Sequence, residues 1–417
     1  MGKVGLSRRE MMIQCGALGI GSLCAGRIAA APNELPANAR VITRGPKHHW
    51  FGYYDKFEFD PSDRYVLGME VDFEHRSPRT DDEIRVGMVD LADGDRWIDL
   101  GSTTAWCWQQ GCMLQWLPGS ASKIIWNDRE DGRYVARILD VTTGKQRTVP
   151  HPVYTVSGDG KVGLTPDFRR IADVRPGYGY VGLPDPYAHD LAPKESGIIR
   201  VDLESGQGEM ILSIADIVAM GTIPKAAPGI KHHAYHLLFN PDSSRFVFLH
   251  RWNYPNGTRL SRMITANPDG SDVRILDDNG LTSHFIWRDE RHILAWSDQP
   301  SHGPRLYMFE DGSDKIEAVA EDAIRHDGHC NYLPGGEWIL DDTYPDAERN
   351  QEVFLYHPET KRRVTLGRFH SPAEYTGEWR CDTHPRVSRS GRMLAIDSPY
   401  QDEGRQLHLM DLSGVIG

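Results

Sequence analysis

The sequence predicts an all-β fold: a seven-bladed β-propeller of four-stranded antiparallel blades, its ring closed by an N-terminal strand. Three observations predict it. A two-part unit recurs seven times, each unit carries an Asp/Gly-rich turn, and four histidines occupy one position of the unit.

The first half of each unit couples a turn to an apolar, β-rich run, at residues 59–70, 117–128, 165–174, 240–251, 288–297, 333–343 and 388–398. The second half follows in step, at 88–96, 138–147, 200–209, 265–274, 308–317, 355–364 and 409–417. It places Asp, Asn or Gly where a hairpin needs φ > 0, between short runs of Val, Ile, Leu and Tyr. Two hairpins per unit give four strands, and one such blade of about 40–50 residues cannot bury both faces alone. The last unit stops after its third strand at Ser413-Gly414, so Arg40-Val-Ile-Thr43 is expected to supply the outer strand. Arg175 to Ser196, rich in Gly, Pro and Tyr, is the longest non-repeating insertion and is expected to loop over one mouth, with Tyr178 and Tyr180 serving either as a lid or as plain loop packing.

Ahead of the repeats, residues 1–31 read as a cleaved export signal, leaving 38–417 as one propeller domain. Lys3, Arg8 and Arg9 precede an apolar stretch that ends in an Ala-x-Ala pattern. Ser7-Arg8-Arg9-Glu10-Met11-Met12 is similar to the twin-arginine address, which implies a periplasmic or secreted protein. No later segment reaches the roughly 18 apolar residues of a membrane span. Once Cys15 and Cys24 leave with the signal, Cys107, Cys112, Cys330 and Cys381 form neither a C-x-x-C knuckle nor a disulfide framework. A formal charge of -12 argues against nucleic acid as a partner, while a local cationic pocket still permits an acidic ligand.

His236, His284, His329 and His384 each stand three residues before the large apolar residue of an inner-strand segment, at spacings of 48, 45 and 55 residues. The same position reads Lys56 in the first unit, Met113 in the second and Lys161 in the third. Equivalent positions of neighbouring blades lie side by side around a propeller's channel. The four histidines are therefore expected to face one another as a metal site or an acid–base site, with His326 and Asn331 as nearby donors. Trp106-Cys-Trp-Gln-Gln110-Gly111 suits either a sugar platform, with Gln110 on a hydroxyl, or an aromatic wedge between blades. His48-His49 and His232-His233 precede inner strands, at the channel mouth.

The strings His236-Leu-Leu-Phe-Asn-Pro, Phe248-Leu-His-Arg251, Ser283-His-Phe-Ile-Trp and Thr383-His-Pro-Arg386 resemble, in order and spacing, strings of the oligogalacturonate lyases. So do His49-Trp-Phe-Gly-Tyr-Tyr-Asp-Lys56 and Ile199-Arg-Val-Asp-Leu203. The resemblance is discontinuous and spans most of the chain after residue 38. It implies a seven-bladed propeller that holds a manganese ion and cleaves short pectic oligosaccharides by β-elimination. Carried over by position, the family's general base falls on His236 and two of its metal histidines on His284 and His384. The pattern departs at three places. Cys381 stands where the family has a glutamine ligand, Arg386 where it has its last ligand histidine, and Gly197 where it has its catalytic arginine.

Eliminating a 4-linked uronate means taking a weakly acidic proton from C5 beside a carboxylate that opposes carbanion formation, so a cation must neutralise that carboxylate. The expected assignment makes His236 the base and His284, His329, His384 and Cys381 the holders of one divalent metal, manganese or, with a thiolate, zinc. Lys56, Arg175, Arg251 or Arg386 replaces the missing arginine. Tyr54, His233, His49 or water gives the leaving oxygen its proton. The expected partner is an acidic oligosaccharide. Two alternatives stand beside this reading: a non-catalytic periplasmic propeller, and a glycoside hydrolase, which would need two closely placed carboxylates.

Overall fold

The computed structural model describes residues 36, 38–221, 229–254, 256, 258–401 and 404–415, and the expected export signal at 1–31 lies outside them. From Leu35 onward the chain is one compact unit. It comprises seven four-stranded antiparallel sheets in a ring, a β-propeller. Blade 1 is His48–Trp50, Tyr65–Val71, Ile84–Asp90 and Arg96–Thr103. Blade 2 is Gln115–Trp116, Lys123–Glu130, Arg133–Asp140 and Gln146–Val149. Blade 3 is Thr155–Val156, Val162–Thr165, Gly197–Asp202 and Gly208–Ser213. Blade 4 is His232–Phe239, Phe246–Asn253, Arg259–Ala266 and Arg274–Gly280. Blade 5 is Thr282–Trp287, His292–Gln299, Gly303–Glu310 and Ile316–Ala318. Blade 6 is Asn331–Tyr332, Ile339–Asp342, Asn350–His357 and Arg362–His370. Blade 7 is Arg386–Val387, Met393–Ser398, Gln406–Asp411 and, as its outer strand, Ala39–Val41.

Each hairpin turn follows from its residues. Gly94, Gly144, Gly206, Gly270 and Gly312 take positive φ, and in several blades an aspartate side chain folds the turn, as where Asp140 accepts from Thr142 N and Thr143 N and Asp202 from Glu204 N and Ser205 N. Blade 6 turns instead on Lys361, at φ 56°. Blade faces bury Val, Ile, Leu and Phe against the next blade, so the apolar core is a series of inter-blade layers and not one central mass.

The ring closes through two latches. Ala39, Arg40 and Val41 pair antiparallel with Met410, Leu409 and His408. Deeper in, Asp397 of blade 7 accepts from Phe51 N at 3.1 Å, Gly52 N at 3.0 Å and Arg386 Nη2 at 2.8 Å, and Arg386 also donates from Nε to Glu58 at 2.9 Å. Arg386, expected to bind substrate, is thus fully buried and committed to blades 1 and 7.

In blade 3 the expected ring position shifts. The inner strand pairs Thr155 with Leu164 and Val156 with Gly163, which aligns Val156 with the apolar anchors of the other blades and puts Val153 at the histidine position. Lys161 lies in the following hairpin, its side chain exposed. That inner strand is only two residues long and carries no alternation for a sequence reading to catch. The Trp106–Gly111 segment is a wedge: Trp106 and Trp108 are buried against Trp50, and their indoles donate to Asp82 O and Arg76 O. All four cysteines after the expected signal are free and buried.

Glu74 tests how the closure region tolerates a buried carboxylate. It accepts from Arg405 Nε at 2.8 Å and Tyr375 OH at 2.6 Å. Burial opposes its ionisation, but His48, Arg405 and Tyr375 outweigh burial and pull it from 4.5 down to about 2. Removing one partner of such a pair strands the other, so Glu74→Ala should cost about 3–5 kcal/mol near neutral pH. Because the folded value is depressed, this contribution is present above pH 4.5 and fades as pH falls toward 2. Urea unfolding of wild type and variant across that window should show the two curves converging.

Candidate active site and metal centre

The innermost strands break at the histidines. His236, His384 and Met113 have φ of 53°, 42° and 57°, and the blade 4 ladder skips from Tyr235 to Leu238, the blade 5 ladder from Thr282 to Phe285. A non-glycine residue held there costs about 1–2 kcal/mol, and the break turns the side chain out of the blade toward the axis.

Tyr54 occupies the middle. Its ring centre lies 5.8, 5.9, 5.5 and 6.4 Å from those of His236, His284, His329 and His384. Its hydroxyl donates to Phe285 O at 2.9 Å and accepts from Phe285 N at 3.0 Å. Both hydroxyl functions are used, so Tyr54, expected as a proton donor, stands as a spacer that divides the ring into two sides.

On one side, His236 Nε2 is 3.1 Å from Asp55 Oδ2, its ring stacks on Phe285 at 4.0 Å, and Nδ1 has no hydrogen-bond partner. An ionised Asp55, held at about 2 by Lys56 and His236 against burial, takes the Nε2 hydrogen and leaves the Nδ1 lone pair free. Burial draws His236 down to about 4, with Asp55 opposing, so the ring is neutral at neutral pH. Lys56 is 2.8 Å from Asp55 and sits over the Tyr154 ring.

On the other side, His329, Asp382 and His384 place one donor atom each within 4.8 Å of one another. Asp342 Oδ1 accepts from His329 N and lies 2.9 Å from its Nδ1, while Oδ2 accepts from His384 N at 3.2 Å and from the Thr383 hydroxyl. His329 Nε2 is left buried without a partner, the arrangement of a metal-ligating imidazole fixed through its other nitrogen. Burial disfavours a charged His329, yet Asp342, Asp382 and Asp327 raise it to about 9: the cluster's field favours a cation. A Cβ on Gly328 would collide with the Asp342 carbonyl, so only glycine lets the chain pass here. His284 stands beside the set, its ring 4.4 Å from His329 and its Nδ1 3.0 Å from Asp327.

The cluster takes Asp382 where Cys381 was expected. Cys381 is buried, and burial pushes its thiol far above the usual range. His326 is exposed, and Asn331 donates to Tyr54 O at 3.1 Å. A repeated signal would have found the carboxylates: Asp327-Gly-His329 and Asp382-Thr-His384 share one Asp-x-His spacing.

A third group faces these. Arg175 and Arg251 put their guanidinium carbons 4.6 and 4.8 Å from the Tyr235 ring, and Arg175 lies 3.5 Å over Tyr178. His233 pairs across the strand with Arg251. Arg175 Nε and Nη1, Arg251 Nε and both His233 ring nitrogens are buried without hydrogen-bond partners. Burial, then repulsion from Arg175, lowers Arg251 to about 10. Five unsatisfied polar atoms, three of them on guanidinium groups, make a pocket suited to an anion. Gln110 Nε2 donates to Tyr154 OH and Tyr235 OH, bracing this wall. His49 lies elsewhere, bonded to Gln406 and facing Glu70 in a cleft along the closure seam with Trp97. That cleft and a second, between Asn38 and Val415, lie away from the ring.

Fold and site together define a seven-bladed propeller with a buried His/Asp cluster at its axis. Two solved oligogalacturonate lyases share that fold. One, from Vibrio parahaemolyticus, is 13% identical with a TM-score of 0.64, covering 92% of this chain and 97% of that one. The other, solved in complex with manganese, is 15% identical with a TM-score of 0.66, covering 92% and 96%. The tricorn protease matches at 11% identity and a TM-score of 0.50, over 34% of its length. No protein-family model matches the chain, and no curated protein is significantly similar in sequence.

The donor set predicts metal content directly. Elemental analysis should find one divalent ion per chain, lost in Asp382→Ala and His329→Ala and kept in Cys381→Ser. Asp342→Asn should weaken affinity about 10–100-fold, as loss of an orienting partner does.

Proposed function

We propose that the protein is a metal-dependent lyase that cleaves a 4-linked uronic-acid oligosaccharide by β-elimination. The observation that carries this reading is a neutral histidine with a free Nδ1, backed by Asp55, set across Tyr54 from a metal-competent cluster and beside an unsatisfied arginine pocket. Elimination at C5 asks for those three functions together.

His236 Nδ1 takes the C5 proton, and Asp55 holds the ring in the competent tautomer and stabilises the imidazolium that forms. Arg175 and Arg251 neutralise charge developing on the uronate and replace the family's arginine, whose position is Gly197. His329, Asp382 and His384, with His284 beside them, would hold the divalent ion, manganese or zinc, which supplies Lewis-acid stabilisation of the carboxylate. With Cys381 outside the cluster, all its donors are nitrogen and oxygen, which removes the pull a thiolate would exert toward zinc. The donor set supports this reading over a glycoside hydrolase, because Asp55, Asp327, Asp342 and Asp382 are each tied to a histidine, lysine or arginine. The export reading of Ser7 to Met12 places the enzyme in the periplasm or outside the cell, and among the described residues no helix is long and apolar enough to cross a membrane.

The test is ultraviolet absorbance of an unsaturated product from a panel of uronic-acid glycans, with metal-loaded protein and with chelator. Turnover that chelation abolishes is expected, and silence across the panel with metal bound would sink the reading. His236→Ala should lose about 10²–10⁴-fold in kcat while retaining its metal. Because His236 must be neutral to accept a proton, the acid limb of kcat/KM should rise with pH through about 4.

A further inference from the structure

Among the buried tyrosines near the axis, most hydroxyls are committed to neutral groups. Tyr54 is tied to Phe285, Tyr53 and Tyr235 to each other, Tyr154 to Gln110 and Tyr180 to Asn127. Tyr178 differs. It lies on the insertion that follows the short helix Phe168–Val174 and is 5% exposed, so its setting is fixed. Arg175 sits 3.5 Å over its ring, and Arg380 Nη2 donates to its oxygen at 2.5 Å. The hydroxyl oxygen is an acceptor there, and its own hydrogen has no acceptor among the described contacts.

The position joins all three parts of the site. Tyr178 packs edge-on against Tyr235 at 5.6 Å, and Tyr235 shares the arginine pocket and adjoins His236. Arg380, its other neighbour, lies 2.7 Å from Asp382 in an ion pair without hydrogen-bond alignment.

On the lyase reading above, we propose that Tyr178 is the acid that protonates the departing oxygen. His236 takes the C5 proton. The electron pair of the C5–H bond forms the C4–C5 double bond, the C4–O bond breaks, and its oxygen leaves with the electron pair and the Tyr178 proton. One chain end becomes a 4,5-unsaturated uronide and the other a free hydroxyl. The tyrosinate left behind lies between two guanidinium groups, and exchange with solvent returns its proton as His236 loses one. The groups that face Tyr178 agree with such an acid. Burial raises the phenol, but Arg175 and Arg380 outweigh burial together with Asp382 and bring it to about 8, a value suited to giving a proton near neutrality.

The test separates an acid from a packing residue by changing the leaving group. In metal-loaded enzyme, Tyr178→Phe should lose about 10²–10⁴-fold in kcat on a sugar leaving group. On a substrate whose C4 oxygen belongs to a nitrophenol, which departs without a proton, the loss should be under about tenfold. Equal losses on both substrates, or none on the sugar, overturn the assignment. Should Tyr178→Phe lose its fold or metal, 3-fluorotyrosine at position 178 keeps the shape and makes the phenol more acidic. The alkaline limb of kcat should then move to lower pH, and an unmoved limb counts against Tyr178. Failure of the lyase reading itself looks different, because wild type would then turn over neither substrate.

Discussion

One carboxylate holds the metal-competent side of the axis in place. Asp342, on the second strand of blade 6, fixes the backbone and ring of His329 with one oxygen and the backbone of His384, together with Thr383, with the other. It is buried, and burial works against its charge; contact with His329 outweighs that and keeps it ionised. Two blades therefore meet at a single anion. Shifting either blade would strand a buried charge, which costs several kcal/mol, so the spacing of the two histidines is set by electrostatics as much as by the sheet.

The rest of the axis obeys the same logic of committed groups. Tyr54 fills the centre with its hydroxyl spent on Phe285, Asp55 is spent on Lys56 and His236, and Arg386 on Glu58 and Asp397. Against that background the unspent atoms stand out: His236 Nδ1, His329 Nε2, Arg175 Nε and Nη1, Arg251 Nε and both ring nitrogens of His233. A buried polar atom without a partner costs free energy in the free protein, so a cluster of them around one axis is the basis of the proposed site.

Much of the architecture was legible because blades are local. Each hairpin is specified by a few consecutive residues, such as Asp140 and Gly144, and repetition of the pattern announces the ring. The histidine register was legible for the same reason. What escaped were features that depend on two distant segments at once. Asp342 is thirteen residues from His329 and belongs to a neighbouring strand. Tyr54 reaches the middle only because the inner segment of blade 1 loosens between Trp50 and Phe59. The positive φ of His236 and His384 reaims their side chains in a way no pattern of hydrophobicity encodes. Arg386 read as a free cation near the ring, but its carboxylate partners come from blade 1 and from the next strand of blade 7.

The closing strand has a consequence for how the molecule comes to be folded. Asn38 bonds to Asp411 across 373 residues of chain, so the pairing that seals the ring joins almost the first described residue to almost the last. The entropic cost of closing a loop grows only slowly with its length, so the seal is thermodynamically accessible, but it cannot form until Gln406–Asp411 has been made. The six blades that need only their own residues can form as the chain emerges, whereas blade 7 must await Gln406–Asp411 and then recover a strand made at the outset. His384 and Asp382 precede the first strand of that last blade. The axial cluster is therefore among the final parts of the propeller to be assembled, and its completion reports that the ring has closed.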